Sequence, residues 1–207
     1  MNTEKTICVL GIGNVLWADE GFGVRCVEAL EQHYDFTPSV QLIDGGTQGM
    51  YLLDYVQSST HLIIIDAIDY GLPAGTVKVV ENDEVPRFMG VKKMSLHQTG
   101  FQEVLQISQL TGKYPNHLVL IGCQPEKLED YGGSLTDTVK QSMPHALALA
   151  KKQLEQWGVT LSPKDTRNDN KVMMQSPELA LDSYEQQRPD EQSAYRYGDS
   201  RFLTKEV

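Results

Sequence analysis

Cysteine is scarce in this sequence: the 207 residues contain three, Cys8, Cys26 and Cys123. They form an odd set without a CxxC pair, and each lies in an apolar stretch, where a free cysteine usually acts as a small hydrophobic residue. The sequence therefore excludes a disulfide scaffold and a zinc finger.

Positive charge is also sparse, because 18 lysines and arginines face 28 aspartates and glutamates, for a net charge of −10. Affinity for phosphate backbones and anionic lipids comes from basic surfaces. Long hydrophobic runs are missing too: the apolar run that follows Lys5 has the length of a strand and ends in glycines, unlike a signal peptide or a membrane span. We expect no nucleic-acid partner, no membrane insertion and a cytoplasmic location.

Apolar segments of two kinds alternate along the chain, whose length suits one compact domain. Strand-like runs cover 6–12, 40–44, 61–68 and 117–123, with a possible edge strand at 76–80. Segments of helical period cover 20–33, 50–56, 100–110 and 134–157, the last with a kink or restart at Pro144. This alternation predicts an α/β fold, a three-layer α/β/α sandwich with a mostly parallel central sheet of about five strands.

The character of the chain changes after Gly158. Residues 159–207 are rich in Ser, Asp, Gln, Asn and Pro, and they show no sustained period. We therefore predict a domain over residues 1–158 and a flexible polar tail over 159–207, with one short helix beginning near Ser176.

The first strand ends in Gly11-Ile12-Gly13-Asn14, which begins like a dinucleotide-binding fingerprint. The third glycine of that fingerprint is absent, since the position holds Leu16. Asp19 and Glu20 then follow, at the start of a helix where a pyrophosphate needs positive potential. These features disfavour a nucleotide site.

Two further strands also end in carboxylates. The second ends in Asp44-Gly45-Gly46-Thr47, whose glycines allow close backbone approach to a ligand. The alternative is a tight turn with Asp44 or Thr47 as a helix cap. The third ends at Asp66, directly after four apolar residues, and helix capping is again the alternative. A carboxylate in that position is partly desolvated and needs a partner.

His97 lies in a loop that leads into a helix, where a solvated or capping role is the alternative to a ligand role, whereas the other histidines flank strands or belong to helices. In an α/β sheet, ligands bind at the carboxyl ends of the strands. Glu20, Asp44, Asp66 and His97 could all meet there. Two carboxylates and an imidazole suit a divalent ion such as nickel, zinc, cobalt or iron, and without a thiolate the ion would be held weakly.

Five separated blocks carry a family resemblance. They are GIGNVLWADEGFGVR (11–25), DGGTQGMYLLDYV (44–56), LIIIDAIDYG (62–71), KKMSLHQ (92–98) and GCQPEKLEDYGGSLT (122–136). In order and spacing they resemble the [NiFe]-hydrogenase maturation endopeptidases, and among these the members that process the large subunit of uptake hydrogenases of the hydrogenase-1 type.

The resemblance implies an α/β/α protease that removes the C-terminal peptide from a nickel-loaded large-subunit precursor. The family's metal-contacting positions fall on Glu20, Asp66 and His97, and Asp44 falls on a position tied to processing. Gly45, Gly46 and Thr47 are then expected to contact substrate. The nickel would belong to the precursor, with no tightly held cofactor in the protease. The rival hypotheses are a nickel-sensing assembly chaperone for the same precursor and a generic nucleotide-binding protein.

Overall fold

The structure is a computed structural model of the chain, and it describes residues 5–89, 96–128, 130–164 and 179–187. For residues 87–89, 96–99 and 187 it describes the backbone alone. The chain divides into two compact units, 1–174 and 175–207.

Strands and helices alternate through the first unit. The strands are β1 (Ile7–Ile12), β2 (Tyr34–Thr37), β3 (Gln41–Gly46), β4 (His61–Ala67), β5 (Val77–Glu81), β6 (His117–Cys123) and β7 (Thr160–Pro163). The helices are α1 (Phe22–His33), α2 (Leu53–Ser58), α3 (Glu84–Met89), α4 (Leu96–Leu110) and α5 (Asp137–Gln156), and 3₁₀ turns span Ala18–Gly21 and Gly49–Leu52. The second unit contains α6 (Leu181–Gln187).

Five strands form the central sheet in the order β3-β1-β4-β6-β5. All pairs are parallel except the edge pair of β5 with β6. The predicted α/β class and the mostly parallel sheet of about five strands are confirmed. Parallel strands place their carboxyl ends at one edge, which is where the polar loop residues gather.

The sheet separates two apolar cores, because alternate side chains of each strand point to opposite faces. One core holds Val9, Ile63, Ile65 and Ile121 together with residues of α1 and α5. The other holds Leu10, Leu62, Ile64 and Leu120 with residues of α2 and α4. Helices therefore cover both faces, as the near-continuous apolar strands predict. All three cysteines are free and buried in these cores.

Several short elements differ from the sequence expectation. β2, β7 and α3 were not predicted, because four to six residues are too few to establish a period. α5 continues through Pro144 without a restart, with Thr136 as its N-cap. None of the helices in the described part of the chain combines the length and apolar character needed to cross a bilayer.

The predicted polar tail begins within ordered structure. Val159 is 3% exposed and belongs to the core beneath α1 and α5. The next four residues form β7, which pairs antiparallel with β2. The boundary expected after Gly158 thus lies before the last strand of the first unit. The helix expected to begin near Ser176 has its start outside the described residues. Within them, the second unit contains α6, which begins at Leu181.

This placement predicts that chains ending at Gly158 and at Lys164 differ in stability. The shorter chain loses the buried Val159, the packing of Leu161 and the β2–β7 pairing, so we expect it to be less stable by about 2–4 kcal/mol. Urea unfolding of both chains measures the difference. Equal free energies of unfolding would show that β7 contributes nothing to the fold.

At the opposite end of the sheet, His61 and His117 are register partners, and their ring centroids are 4.5 Å apart. Burial, Lys5 and His117 lower the pKa of His61 from 6.5 to about 4. The unfolded chain therefore binds the proton more readily, and stability falls as pH drops from about 6.5 towards 4. As pH falls over this range, the free energy of unfolding of His61→Gln should rise relative to that of wild type, by less than about 1 kcal/mol because the imidazole is partly exposed. The control His145→Gln, at an exposed position of α5, should show no such gain.

Candidate functional site

The backbone of α1 lies directly on the carboxyl ends of β1 and β4. A Cβ on Gly11 would lie 2.5 Å from the carbonyl oxygen of Gly23, and a Cβ on Gly23 would lie 2.0 Å from that of Ile65. Neither position can carry a side chain without moving the helix. The contact sets the 3₁₀ turn that precedes α1, with Glu20 in it, against β4.

Gly13 fixes the backbone of Glu20 from the other side. Its φ of +129° is a conformation that side-chain-bearing residues rarely adopt, and a Cβ there would lie 1.7 Å from the carbonyl oxygen of Glu20. The glycines of the fingerprint-like segment therefore serve packing between strand, turn and helix. Glu20 is half-buried at the edge where the strands end.

Asp66 is completely buried near the end of β4. Its neighbours Ile65 and Ala67 belong to the core under α1 and α5, so its side chain points to the opposite face, that of α4. Its register partner is Gly122 on β6, and the Tyr70 hydroxyl lies 2.0 Å from where a Gly122 Cβ would be. Burial and the charge of Asp66 raise the pKa of Tyr70. The loop after β4 leads to β5, so Asp66 is not a helix cap.

Asp44 lies at the same edge but on the other face of the sheet. It alternates with Leu42, which packs on the core under α1 and α5. One carboxylate oxygen lies 3.6 Å from the position of a Cβ on Gly46. The following 3₁₀ turn is capped by Gln48 without a side-chain hydrogen bond, so neither Asp44 nor Thr47 is its cap.

The three expected substrate-contacting residues differ in exposure. Gly45 is buried, and a Cβ there would lie 2.8 Å from Leu10 Cδ1, so its lack of a side chain serves packing against β1. Gly46 has a φ of +46° and is half-buried, whereas Thr47 is exposed. Gly46 and Thr47 therefore present the accessible part of this loop.

His97 lies in the first turn of α4 and not in the loop that the sequence predicts, because the helix already begins at Leu96. Its side chain is outside the described part of the structure. Its helix nevertheless reaches the same edge. A Cβ on Gly100 would lie 3.4 Å from the Cα of Gly49, so the two backbones are in close contact. The start of α4 thus adjoins the loop that follows Asp44.

Asp19 ties the turn beside Glu20 to the loop that follows β6. Its carboxylate accepts hydrogen bonds from the backbone N–H groups of Glu126 (2.9 Å), Lys127 (2.8 Å) and Thr136 (2.7 Å), and from the Thr136 hydroxyl (3.1 Å). The side chain is completely buried. Because β4 lies between β1 and β6 in the sheet, this connection joins the loops on both sides of the strand that carries Asp66.

Gln124 organises the segment after Asp66 in the same manner. Its side-chain oxygen accepts hydrogen bonds from the N–H groups of Tyr70 (2.7 Å) and Leu72 (3.2 Å), and its amide nitrogen donates to Asp69 (3.0 Å). Sequence reasoning identified neither Asp19 nor Gln124 as a loop organiser. The available signal was position, since one directly precedes Glu20 and the other directly follows a buried strand.

The expected cation donors are thus brought to one sheet edge at the level of the backbone. Within the described residues no group of three His, Cys, Asp or Glu side chains is arranged to hold a metal ion, and the imidazole of His97 does not belong to those residues. Carboxylate oxygens from Glu20 and Asp66, with one imidazole, would suit a borderline divalent ion and leave coordination positions open.

Comparison with known proteins gives a consistent result. A family model described as hydrogenase maturation protease matches residues 24–153. The hydrogenase expression/formation protein HoxM of Cupriavidus necator is 54% identical over 201 residues, covering 97% of this chain and 100% of that protein. The hydrogenase 2 maturation protease of Escherichia coli is 43% identical over 164 residues, covering 79% of this chain and 99% of that protein. The first similarity extends beyond Gly158 into the polar segment.

Solved structures of other proteins are also similar to this fold. The E. coli hydrogenase maturating endopeptidase HybD is 42% identical and has a TM-score of 0.73 over 77% of this chain and 98% of its own. The Thermococcus kodakarensis HybD, at 22% identity, has a TM-score of 0.59 over 72% of this chain and 98% of its own, which supports the fold alone.

The hydrogen bonds of Asp19 predict that Asp19→Asn strongly lowers the free energy of unfolding. An amide presents one acceptor oxygen and one NH₂ group, so at least one of the buried N–H donors at 2.7–2.9 Å loses its acceptor. We expect a loss of about 2–3 kcal/mol in the free energy of unfolding. Asp137→Asn is the matched control, because its carboxylate is 93% exposed and lies 4.0 Å from Lys140. It should change stability by less than about 0.5 kcal/mol, and equal effects would contradict the assignment.

Proposed function

The chain belongs to the hydrogenase maturation protease family, and we propose that it removes the C-terminal peptide from a nickel-loaded [NiFe]-hydrogenase large-subunit precursor. The observation that carries this proposal is the convergence of the segments bearing Glu20, Asp66 and His97 at one edge of the sheet. Two carboxylates and one imidazole can coordinate a nickel ion that ligands of the precursor also hold.

The precursor's nickel is, in this proposal, part of the substrate. Glu20, Asp66 and His97 recognise it as the mark of a completed active site. Oxygen and nitrogen donors without a thiolate give modest affinity for a free ion. The protease therefore distinguishes loaded from empty precursor without extracting the metal.

The burial of Asp66 has a consequence for this recognition. Its carboxylate has no exposed surface, so an ion carried by the precursor reaches it only when a covering segment moves. Recognition of loaded precursor is then coupled to a local opening of the edge.

Hydrolysis itself needs a group that activates water and a group that polarises the scissile carbonyl. The engaged nickel, as part of the substrate, supplies positive charge near the scissile bond. Asp44 is half-buried at the same edge, and we assign it the role of general base or carbonyl-orienting carboxylate. Water then adds to the carbonyl carbon, its proton passes to the carboxylate and on to the leaving amine, and the C–N bond breaks.

A nickel-sensing chaperone would bind the same precursor and leave its mass unchanged. Incubation of purified protein with nickel-loaded precursor, followed by intact-mass measurement, distinguishes the two. We expect loss of a C-terminal peptide from the loaded precursor alone. Cleavage of nickel-free precursor at the same rate would contradict the role of the metal.

The proposal predicts that binding and cleavage separate in two variants. His97→Ala removes the expected nitrogen ligand, so we expect precursor binding to weaken at least about tenfold. Asp44→Asn keeps the size of the side chain but removes its charge, so we expect near-normal binding and cleavage slowed at least about 100-fold. Pull-down of loaded precursor and C-terminal processing are measured for each variant.

Nickel-free precursor is the control for both measurements. Wild-type cleavage by Asp44→Asn would show that Asp44 only shapes its loop, and that water is activated elsewhere. Unchanged binding by His97→Ala would remove this residue from the recognition site.

A further inference from the structure

A buried ion pair lies in α1, on the face of the sheet that carries Asp44. Nη1 of Arg25 is 3.0 Å from Oε2 of Glu28, and the two side chains are 2% and 7% exposed. Both residues lie one turn apart on the helix, beside the apolar stripe that includes Phe22, Cys26 and Leu30.

Burial of this pair is costly. Removing two charges from water carries a desolvation penalty that their attraction offsets only in part, so an apolar pair of similar volume would often be as stable or more stable. Oε1 of Glu28 is buried and accepts no hydrogen bond from the described residues. Stability of α1 alone therefore does not account for this pair.

The neighbouring carboxylate is that of Asp44. α1 packs on β3, and Asp44 shares the α1 face of that strand with Leu42. Electrostatics agree with this placement: burial raises the pKa of Glu28, Arg25 lowers it, and the charge of Asp44 raises it further. Glu28 thus lies within electrostatic range of both Arg25 and Asp44, on the face of the sheet that α1 covers.

We propose that Arg25 and Glu28 form a positioning pair for Asp44, in which Glu28 fixes the guanidinium and the buried cation supports the carboxylate at the end of the strand. The inference rests on the proposed function, in which Asp44 acts in cleavage. Arg25 and Glu28 touch no substrate atom in this arrangement. They act through the charge and orientation of Asp44, in a medium where a fixed cation has a strong effect.

The test replaces the pair with apolar residues of similar volume, Arg25→Met with Glu28→Leu, which leaves the net charge unchanged. A purely structural pair would tolerate this change, because the helix face stays filled. A positioning pair would not: we expect single-turnover cleavage of nickel-loaded precursor to slow at least about tenfold while the precursor dissociation constant stays within about twofold.

Three further variants keep the test decisive. Arg25→Lys retains the cation and should recover part of the lost cleavage rate. Cys26→Ala creates a small cavity in the same helix without touching the pair, so it controls for loss of stability, and its cleavage rate should stay near that of wild type. Where the double variant does not fold, Glu28→Gln, which keeps the size of the side chain, replaces it with the same expected separation of rate from binding.

The outcomes separate the inference from the function on which it rests. Absence of cleavage by wild-type protein would overturn the proposed function. Slow cleavage by Asp44→Asn together with wild-type cleavage by a folded double variant would overturn the positioning pair alone. Slow cleavage by both, with normal binding, supports it, and a parallel loss in Cys26→Ala would instead assign the effect to stability.

Discussion

Direct backbone contact between α1 and the sheet is the constraint on which the candidate site depends. Gly11, Gly13 and Gly23 each leave no room for a Cβ, with the nearest backbone atoms 1.7–2.5 Å from its position. A side chain at any of them would lift the helix or displace the turn that precedes it. Since that turn holds both Asp19 and Glu20, small errors in helix position would be transmitted to the whole edge.

The loops around Asp66 depend in turn on two buried polar side chains. Asp19 accepts four hydrogen bonds and joins the loops after β1 and β6. Gln124 uses both ends of its amide to fix the segment after β4. Buried polar groups are tolerated when their hydrogen bonds are made, and they then specify one arrangement of otherwise irregular loops. Asp66 owes its defined surroundings to these two residues rather than to its strand alone.

The sequence was most informative where an apolar pattern extends over many residues. Continuous apolar runs and helical stripes predict the parallel sheet and its covering helices, and the strand-end rule predicts which carboxylates share an edge. The pairing of β2 with β7 could not be predicted, because each strand has four residues and the two are separated by more than a hundred residues. The roles of Asp19 and Gln124 also escaped prediction, since backbone hydrogen bonds from distant loops leave no pattern in spacing.

The position of Asp44 shows a further limit of prediction from the sequence. It also bears on how the proposed reaction is organised. Clustering at one edge does not specify the face of the sheet, and alternation along the strands places Asp44 towards α1 and Asp66 towards α4. Under the proposed function, metal recognition then depends on Asp66 and His97 on the side of α4 and on Glu20 in the turn before α1, while water activation depends on Asp44 on the side of α1. A substrate whose nickel lies on one side of the edge would present its scissile bond towards the other. Cleavage would thus require both contacts at once, which gives a physical reason for an empty precursor to bind poorly and remain uncut.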